Sequence, residues 1–151
     1  MARLRLTFLG TGTSMGVPTL GCECRVCVSS DPRDRRTRPS LLVEYDGHAV
    51  LIDTAPDLRQ QLLRINLKRV DAVLYTHGHA DHILGLDDLR AFNLKQGKID
   101  VYANPETQEI IRRTFFYIFS GGTPDSTVPE VELRDLDGPL ELYGQRFQPL
   151  P

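Results

Sequence analysis

Three of the chain's four histidines and one aspartate fall within six consecutive positions, His77-Gly78-His79-Ala80-Asp81-His82, and this density constrains the fold more than any other feature. The run before it, residues 70–75, is short, apolar and partly β-branched, the composition of a strand buried on both faces. The histidines therefore leave the C-terminal end of a central strand. In an extended exit alternate side chains point the same way, so His77, His79 and Asp81 share a direction, and Gly78 and Ala80 between them are small enough to let backbones approach. Two imidazoles then converge on one ion. Asp81 and His82, adjacent where the chain begins to turn, point away from that pair and reach toward a second ion about 3.5–4 Å from the first. Neutral imidazole with carboxylate suits zinc, manganese or ferrous iron. A helical His-Glu-x-x-His pair is different, because its ligands stand one turn apart and a glutamate serves as base.

Two further segments carry ligand-type residues. Asp53 ends an apolar strand with no local need for charge, so it is expected to hold a metal-binding histidine from behind. Cys22, Cys24 and Cys27 form Cys-x-Cys-x-x-Cys, three thiolates within reach of one tetrahedral zinc that needs a fourth ligand; the alternative is three free thiols. Three cysteines in one short segment fit reduced thiols or a metal better than a disulfide framework.

With 151 residues, 40% apolar and 25% charged, the chain is one ordinary domain able to bury a core. A net charge of -2 argues against a general nucleic-acid coat and leaves anion binding to local patches. No 18-residue apolar run offers a membrane span, and residues 1–8 run into a strand with no signal-peptide pattern, which predicts a cytoplasmic protein.

Strands are expected at 4–9, 41–45 and 49–53, the last two joined by Asp46-Gly47, with His48 an ordinary surface residue beside the turn. The loop 10–18, rich in glycine, either cradles an anion or packs as a tight turn. Four arginines in 33–38 form a positive edge for a phosphate, unless Asp31 and Asp34 neutralise them. Thr54-Ala55-Pro56-Asp57 has capping-box form, with Asp57 as cap, and opens a helix striped by Leu58, Leu62, Leu63 and Ile65. A helix is expected at 84–94 with Leu86, Leu89 and Ala91 inward, a strand at 99–103, and a helix from Asn104-Pro105-Glu106 toward an apolar cluster at 115–119 that is either a core face or a lip over the active site. Residues 121–125 break that cluster, and short strands follow at 131–133, 140–143 and 146–150, with a turn at Asp137-Gly138. The central strands are apolar on both faces while the visible helices cover one, so the second sheet face is expected to be bare and the chain alone catalytically weak.

The motif His77-Gly78-His79-Ala80-Asp81-His82, with Asp53 in Leu51-Ile52-Asp53-Thr54, resembles the signature of the metallo-β-lactamase-fold hydrolases, and the likeness extends over residues 6–93. It implies an α/β (α+β) αββα sandwich of which residues 1–151 supply the N-terminal half, one mixed sheet with outer helices. It implies two zinc or manganese ions, the first on His77 and His79 and the second on Asp81, which is also the catalytic candidate, and His82, with Asp53 supporting them. A missing C-terminal half or a homodimer partner would complete the ligands. Gly10-Thr11-Gly12-Thr13-Ser14, the cysteines and residues 31–40 resemble the phosphoribosyl cyclic phosphate phosphodiesterase family of phosphonate breakdown, in which the cysteines hold a structural zinc. That likeness implies hydrolysis of a small cyclic or nucleotide-like phosphodiester by water activated between the ions. The alternatives are an RNA-processing endonuclease of the same fold and a non-catalytic zinc-binding or interaction fragment. No substrate-binding residue is assigned.

Overall fold

The computed structural model describes residues 4–121 and 127–150; residues 1–3, most of the expected break at 121–125 and the terminal Pro151 lie outside them. Six strands form one sheet in chain order: β1 (Arg5–Gly10), β2 (Ser40–Tyr45), β3 (His48–Ile52), β4 (Ala72–Leu74), β5 (Ile99–Ala103) and β6 (Val131–Asp135). β1, β2 and β3 pair antiparallel, and β3 to β6 pair parallel. Parallel pairing needs crossovers, which are helical here: α1 (Leu58–Ile65) before β4, α2 (Ala80–Ile83) and α3 (Arg90–Gln96) before β5, α4 (Pro105–Thr114) and α5 (Phe116–Phe119) before β6. It also brings the C-terminal ends of β3 and β4 to one edge, where Asp53 and His77 emerge.

The helical side of the sheet carries the main core, including Leu9, Leu42, Leu51, Leu58, Val73, Leu86, Leu89, Val101, Ile111 and Phe115. The opposite face has its own cluster of Val43, Tyr45, Val50, Ala72, Leu74 and Tyr102, closed by Leu142. This corrects the expectation of a bare second face. Its cover is the hairpin β7 (Leu140–Leu142) and β8 (Gln145–Phe147), whose turn residues Tyr143 and Gly144 have φ of 50° and 80°. The Tyr45 hydroxyl donates to the Leu142 carbonyl (2.9 Å) and the Tyr143 hydroxyl to the Asp71 carbonyl (3.1 Å), which ties the hairpin to the sheet. Cover stops short of β1, where Leu6 (54% exposed) and Phe8 (69%) stand opposite Val43 and Leu41 and continue the apolar face into solvent.

Several local readings change. Asp57 does precede α1, but its carboxylate makes no cap bond; it accepts instead from the Arg38 amide (2.9 Å) and guanidinium (3.2 Å). Thr54 is fully buried rather than part of a capping box, and Leu63 faces solvent. The expected helix at 84–94 is a 3-10 stretch, Leu84–Leu89, followed by α3; Leu86 and Leu89 are buried but Ala91 is exposed. His48 is no bare surface residue, since its ring stacks on Tyr143 at 4.0 Å. In the loop 10–18, the Gly12, Gly16 and Val17 amides bond to the Thr37, Thr13 and Arg36 carbonyls, so the tight-turn reading holds and those donors are not free for an anion. A Cβ at Gly10 would sit 2.0 Å from the Arg38 carbonyl oxygen, so only glycine permits this docking. Of the aromatic cluster, Phe115 is core and Tyr117, Ile118 and Phe119 pack against it, whereas Phe116 is exposed.

Candidate metal centre

The site is built from the turns that follow β3 and β4. Past β3 the chain enters Asp53 with φ of 60°, a left-handed conformation that aspartate tolerates better than most residues, and the Asp53 amide bonds to the Leu74 carbonyl (2.9 Å) across to β4. That turn aims a carboxylate only 7% exposed at the next loop. Asp53 Oδ1 accepts from the Thr76 amide and Oδ2 from the Thr76 hydroxyl, both at 2.8 Å, while Oδ2 also meets His82 Nδ1 at 2.7 Å. Thr76 Oγ1 in turn lies 2.9 Å from His77 Nδ1.

These contacts fix the imidazoles. An ionised carboxylate only accepts, so Nδ1 of His82 donates to Asp53 and Nε2 is the nitrogen turned toward Asp81. The Thr76 hydroxyl has one hydrogen and gives it to Asp53, so it accepts from His77 Nδ1–H, and Nε2 of His77 is likewise free to ligate. A single aspartate thus anchors two imidazoles, one directly and one through a hydroxyl. His77 Nε2 lies 3.1 Å from His79 Nδ1, the His77 and His82 ring centroids are 4.0 Å apart, and His82 Nε2 is 3.2 Å from Asp81 Oδ2. Burial holds His77 below the ordinary imidazole value, helped by His82 and His79 and opposed by Asp53 and Asp81, which favours the neutral, ligating form.

His77 and His79 converge as the spacing predicts. The extended exit, however, ends at His79: α2 begins at Ala80, so Asp81 leaves the alternation and lies in a helical first turn. The expected divergence of His82 from the histidine pair is corrected by the same turn, which carries the His82 ring back to within 4.0 Å of His77. Thr54 grips this turn, its amide bonding to the His82 carbonyl (2.7 Å), its carbonyl accepting from Gly85 (2.9 Å) and its hydroxyl 2.6 Å from Tyr75 Oη. Gly78 packs on α4; a Cβ there would lie 2.5 Å from Ile110 Cδ1. Thr76 had no role in the sequence reading and Thr54 only that of a capping box, although a hydroxyl beside the first histidine was a readable signal.

The cysteines form a second cluster. The Sγ atoms of Cys22, Cys24 and Cys27 lie within 4.8 Å of one another, against about 3.8 Å between sulfurs on a tetrahedral zinc with 2.3 Å bonds. Among the described residues the cluster comprises these three. The Cys24 thiol is lowered to about 7, chiefly by the Cys27 amide, then by the Cys22 side chain and the Val26 amide. A thiol that ionises near neutrality suits a soft cation.

Residues 48–151 match the Beta-lactamase superfamily domain. The structure superposes with a TM-score of 0.90 on a diphosphatase from the PhnP family, with 49% identity, covering 100% of this chain and 58% of that one. Among curated relatives, the chain is 33% identical over 122 residues to ribonuclease Z of Bradyrhizobium diazoefficiens, covering 78% of this chain and 35% of the relative. It is also 43% identical over 152 residues to an octanoyltransferase of Porphyromonas gingivalis, covering 97% of this chain but 30% of that protein. The chain thus spans between a third and a half of most curated relatives it matches. No helix among the described residues is long and apolar enough to cross a membrane.

Proposed function

Because the chain belongs to the Beta-lactamase superfamily domain family, we propose that the loop 76–82 is the metal centre of a hydrolase that cleaves a small cyclic or nucleotide-like phosphodiester. The observation that carries this reading is the Asp53 network, which holds His77 and His82 by their Nδ1 atoms and turns Nε2 of each toward His79 and Asp81. A surface loop that needed only solubility would have no use for a buried carboxylate that anchors two imidazoles. The donor set, imidazole with carboxylate, fits zinc or manganese: His77 and His79 would hold one ion, and Asp81 and His82 a second. Bound divalent ions supply Lewis acidity toward a phosphoryl oxygen and make water a nucleophile near neutral pH. The chain's own residues do the rest. Asp53 and Thr76 orient the imidazoles, the turn held by Thr54 sets the place of Asp81 and His82, and Asp81 is positioned to orient a ligand or take a proton beside His82.

Phosphorus chemistry draws support from the PhnP-family diphosphatase and from ribonuclease Z, the latter with an RNA substrate in its name. The octanoyltransferase match falls within less than a third of that protein, so the name describes a longer polypeptide. For the cysteine cluster we infer a structural zinc. The reading is tested by assaying the protein, loaded with zinc or manganese, against bis-p-nitrophenyl phosphate, a ribose cyclic phosphate, structured RNA and an octanoyl thioester. Metal-dependent cleavage of the first two, lost by roughly 100-fold or more in His77→Ala, is the expected result. Turnover of the thioester alone, or phosphodiester cleavage indifferent to His77→Ala, would overturn it, and preference for RNA would move the substrate class to the endonuclease branch.

A further inference from the structure

Of the arginines among the described residues, seven sit within salt-bridge distance of a carboxylate: Arg5, Arg33, Arg38, Arg69, Arg90, Arg113 and Arg134. Seven others, Arg25, Arg35, Arg36, Arg59, Arg64, Arg112 and Arg146, do not, and three of these, Arg35, Arg36 and Arg64, line one cavity of about 170 Å³ at the C-terminal end of β1. Thr11 and Thr37 complete its polar lining, and no carboxylate contributes to it. In a chain of net charge -2, three of the seven arginines without an acid partner thus line a single cleft. We propose that this cleft binds the phosphate group of a small phosphorylated molecule, at a place separate from the metal loop.

The cleft has fixed walls. The Arg36 amide and carbonyl both pair with Val17 at 2.8 Å, and the Gly12 amide bonds to the Thr37 carbonyl at 2.8 Å, so the segment carrying Arg35 and Arg36 is held against the loop after β1. The Leu9 carbonyl, the backbone acceptor that would repel an anion, is occupied by the Thr37 hydroxyl (3.3 Å) and by Arg64. Arg35 is steadied by one bond from Nη2 to the Ser29 carbonyl (3.2 Å). Each guanidinium has five N–H donors, so most remain available, and their planar fork matches phosphate oxygens. The volume equals about five or six waters at roughly 30 Å³ each, room for one or two phosphate groups but not for a buried nucleoside. β1 and β4 are separated by two strands, hence by three spacings of about 4.8 Å, so the cleft lies roughly 14 Å across the sheet from the strand that carries the histidines. The inference therefore stands or falls separately from the metal chemistry.

Pyrophosphate and inorganic phosphate are titrated calorimetrically at low ionic strength into the wild-type protein, Arg35→Ala/Arg36→Ala, His77→Ala, and the charge-matched control Arg112→Ala/Arg113→Ala on α4, each checked for an unchanged melting temperature. The arginine pair in the cleft is expected to cost roughly tenfold or more in pyrophosphate affinity, with the α4 control and His77→Ala within about twofold of wild type. Arg36→Lys, whose side chain makes no hydrogen bond among the described residues, keeps the charge and is expected to recover part of the loss if the double variant proves unstable. Absence of binding to the wild-type protein, equal losses in both arginine pairs, or loss confined to His77→Ala would each overturn the proposal.

Discussion

Asp53 holds a backbone conformation that costs a non-glycine residue about 1–2 kcal/mol, and the return on that strain is a carboxylate aimed at Thr76 and His82. Asparagine tolerates the same φ and has nearly the same shape, so Asp53→Asn isolates the chemistry from the turn. Its amide nitrogen donates and cannot accept, so either the Thr76 amide bond or the bonds from the Thr76 hydroxyl and His82 Nδ1 are lost. The fold should persist while metal affinity falls about 10- to 100-fold, measured by competition with a chromophoric chelator. Unchanged affinity would show that the imidazoles are anchored elsewhere. Thr76→Val is expected to give a smaller loss confined to His77, because His82 keeps its direct bond. Thr76 was legible only as a neighbour of the motif; its role depends on a hydrogen bond to a residue 23 positions earlier.

At the scale of elements, the histidine loop and the cysteine segment are both short, and each depends on what packs behind it. Gly78 is pressed onto α4 at Ile110, so Gly78→Ala must push loop and helix apart, at about 1–3 kcal/mol of stability. Ile110→Val removes the Cδ1 atom that lies 2.5 Å from the new Cβ and should restore part of both stability and metal binding, read by thermal melts and metal titration. A lack of rescue would place the strain elsewhere. For the cysteines, a thiol that ionises near pH 7 is about half thiolate at neutrality, far more than an ordinary thiol. Metal-free protein should therefore be alkylated at Cys24 faster than an ordinary thiol at pH 7, zinc should protect it, and Cys22→Ser/Cys24→Ser should lower zinc content by one ion per chain. The elements legible in the sequence were those with local causes: the Asp46-Gly47 turn, the Asn104 cap whose Oδ1 accepts from the Thr107 amide (2.8 Å), and the apolar β4. Asp57 was misread because its partner Arg38 lies 19 residues away, and Tyr143-Gly144 was missed because tyrosine rarely adopts positive φ.

For the whole molecule, the sequence pattern showed strands apolar on both faces but not what covers the second one, because β7 and β8 are three residues each and carry little periodicity. The hairpin acts as a partial second layer through one fully engaged side chain, Leu142, with Leu140 and Phe147 half-buried beside it. If that cover matters to the sheet as a unit, Leu142→Ala should cost about 2–5 kcal/mol, a large share of the 5–15 kcal/mol typical of a domain. Leu140→Ala, from a position still partly in water, should cost distinctly less. Urea denaturation of both variants measures the difference, and amide exchange locates it. Release of the hairpin should raise exchange in β2 and β3, whose Val43, Tyr45 and Val50 lie beneath it, before it reaches the helical core. The metal loop hangs from the ends of β3 and β4, so loosening those strands should weaken metal binding without touching any ligand. A Leu142→Ala protein with wild-type stability and undisturbed exchange would mean that the hairpin rests on the sheet without supporting it, and that the stiffness of the site comes from the helical face alone.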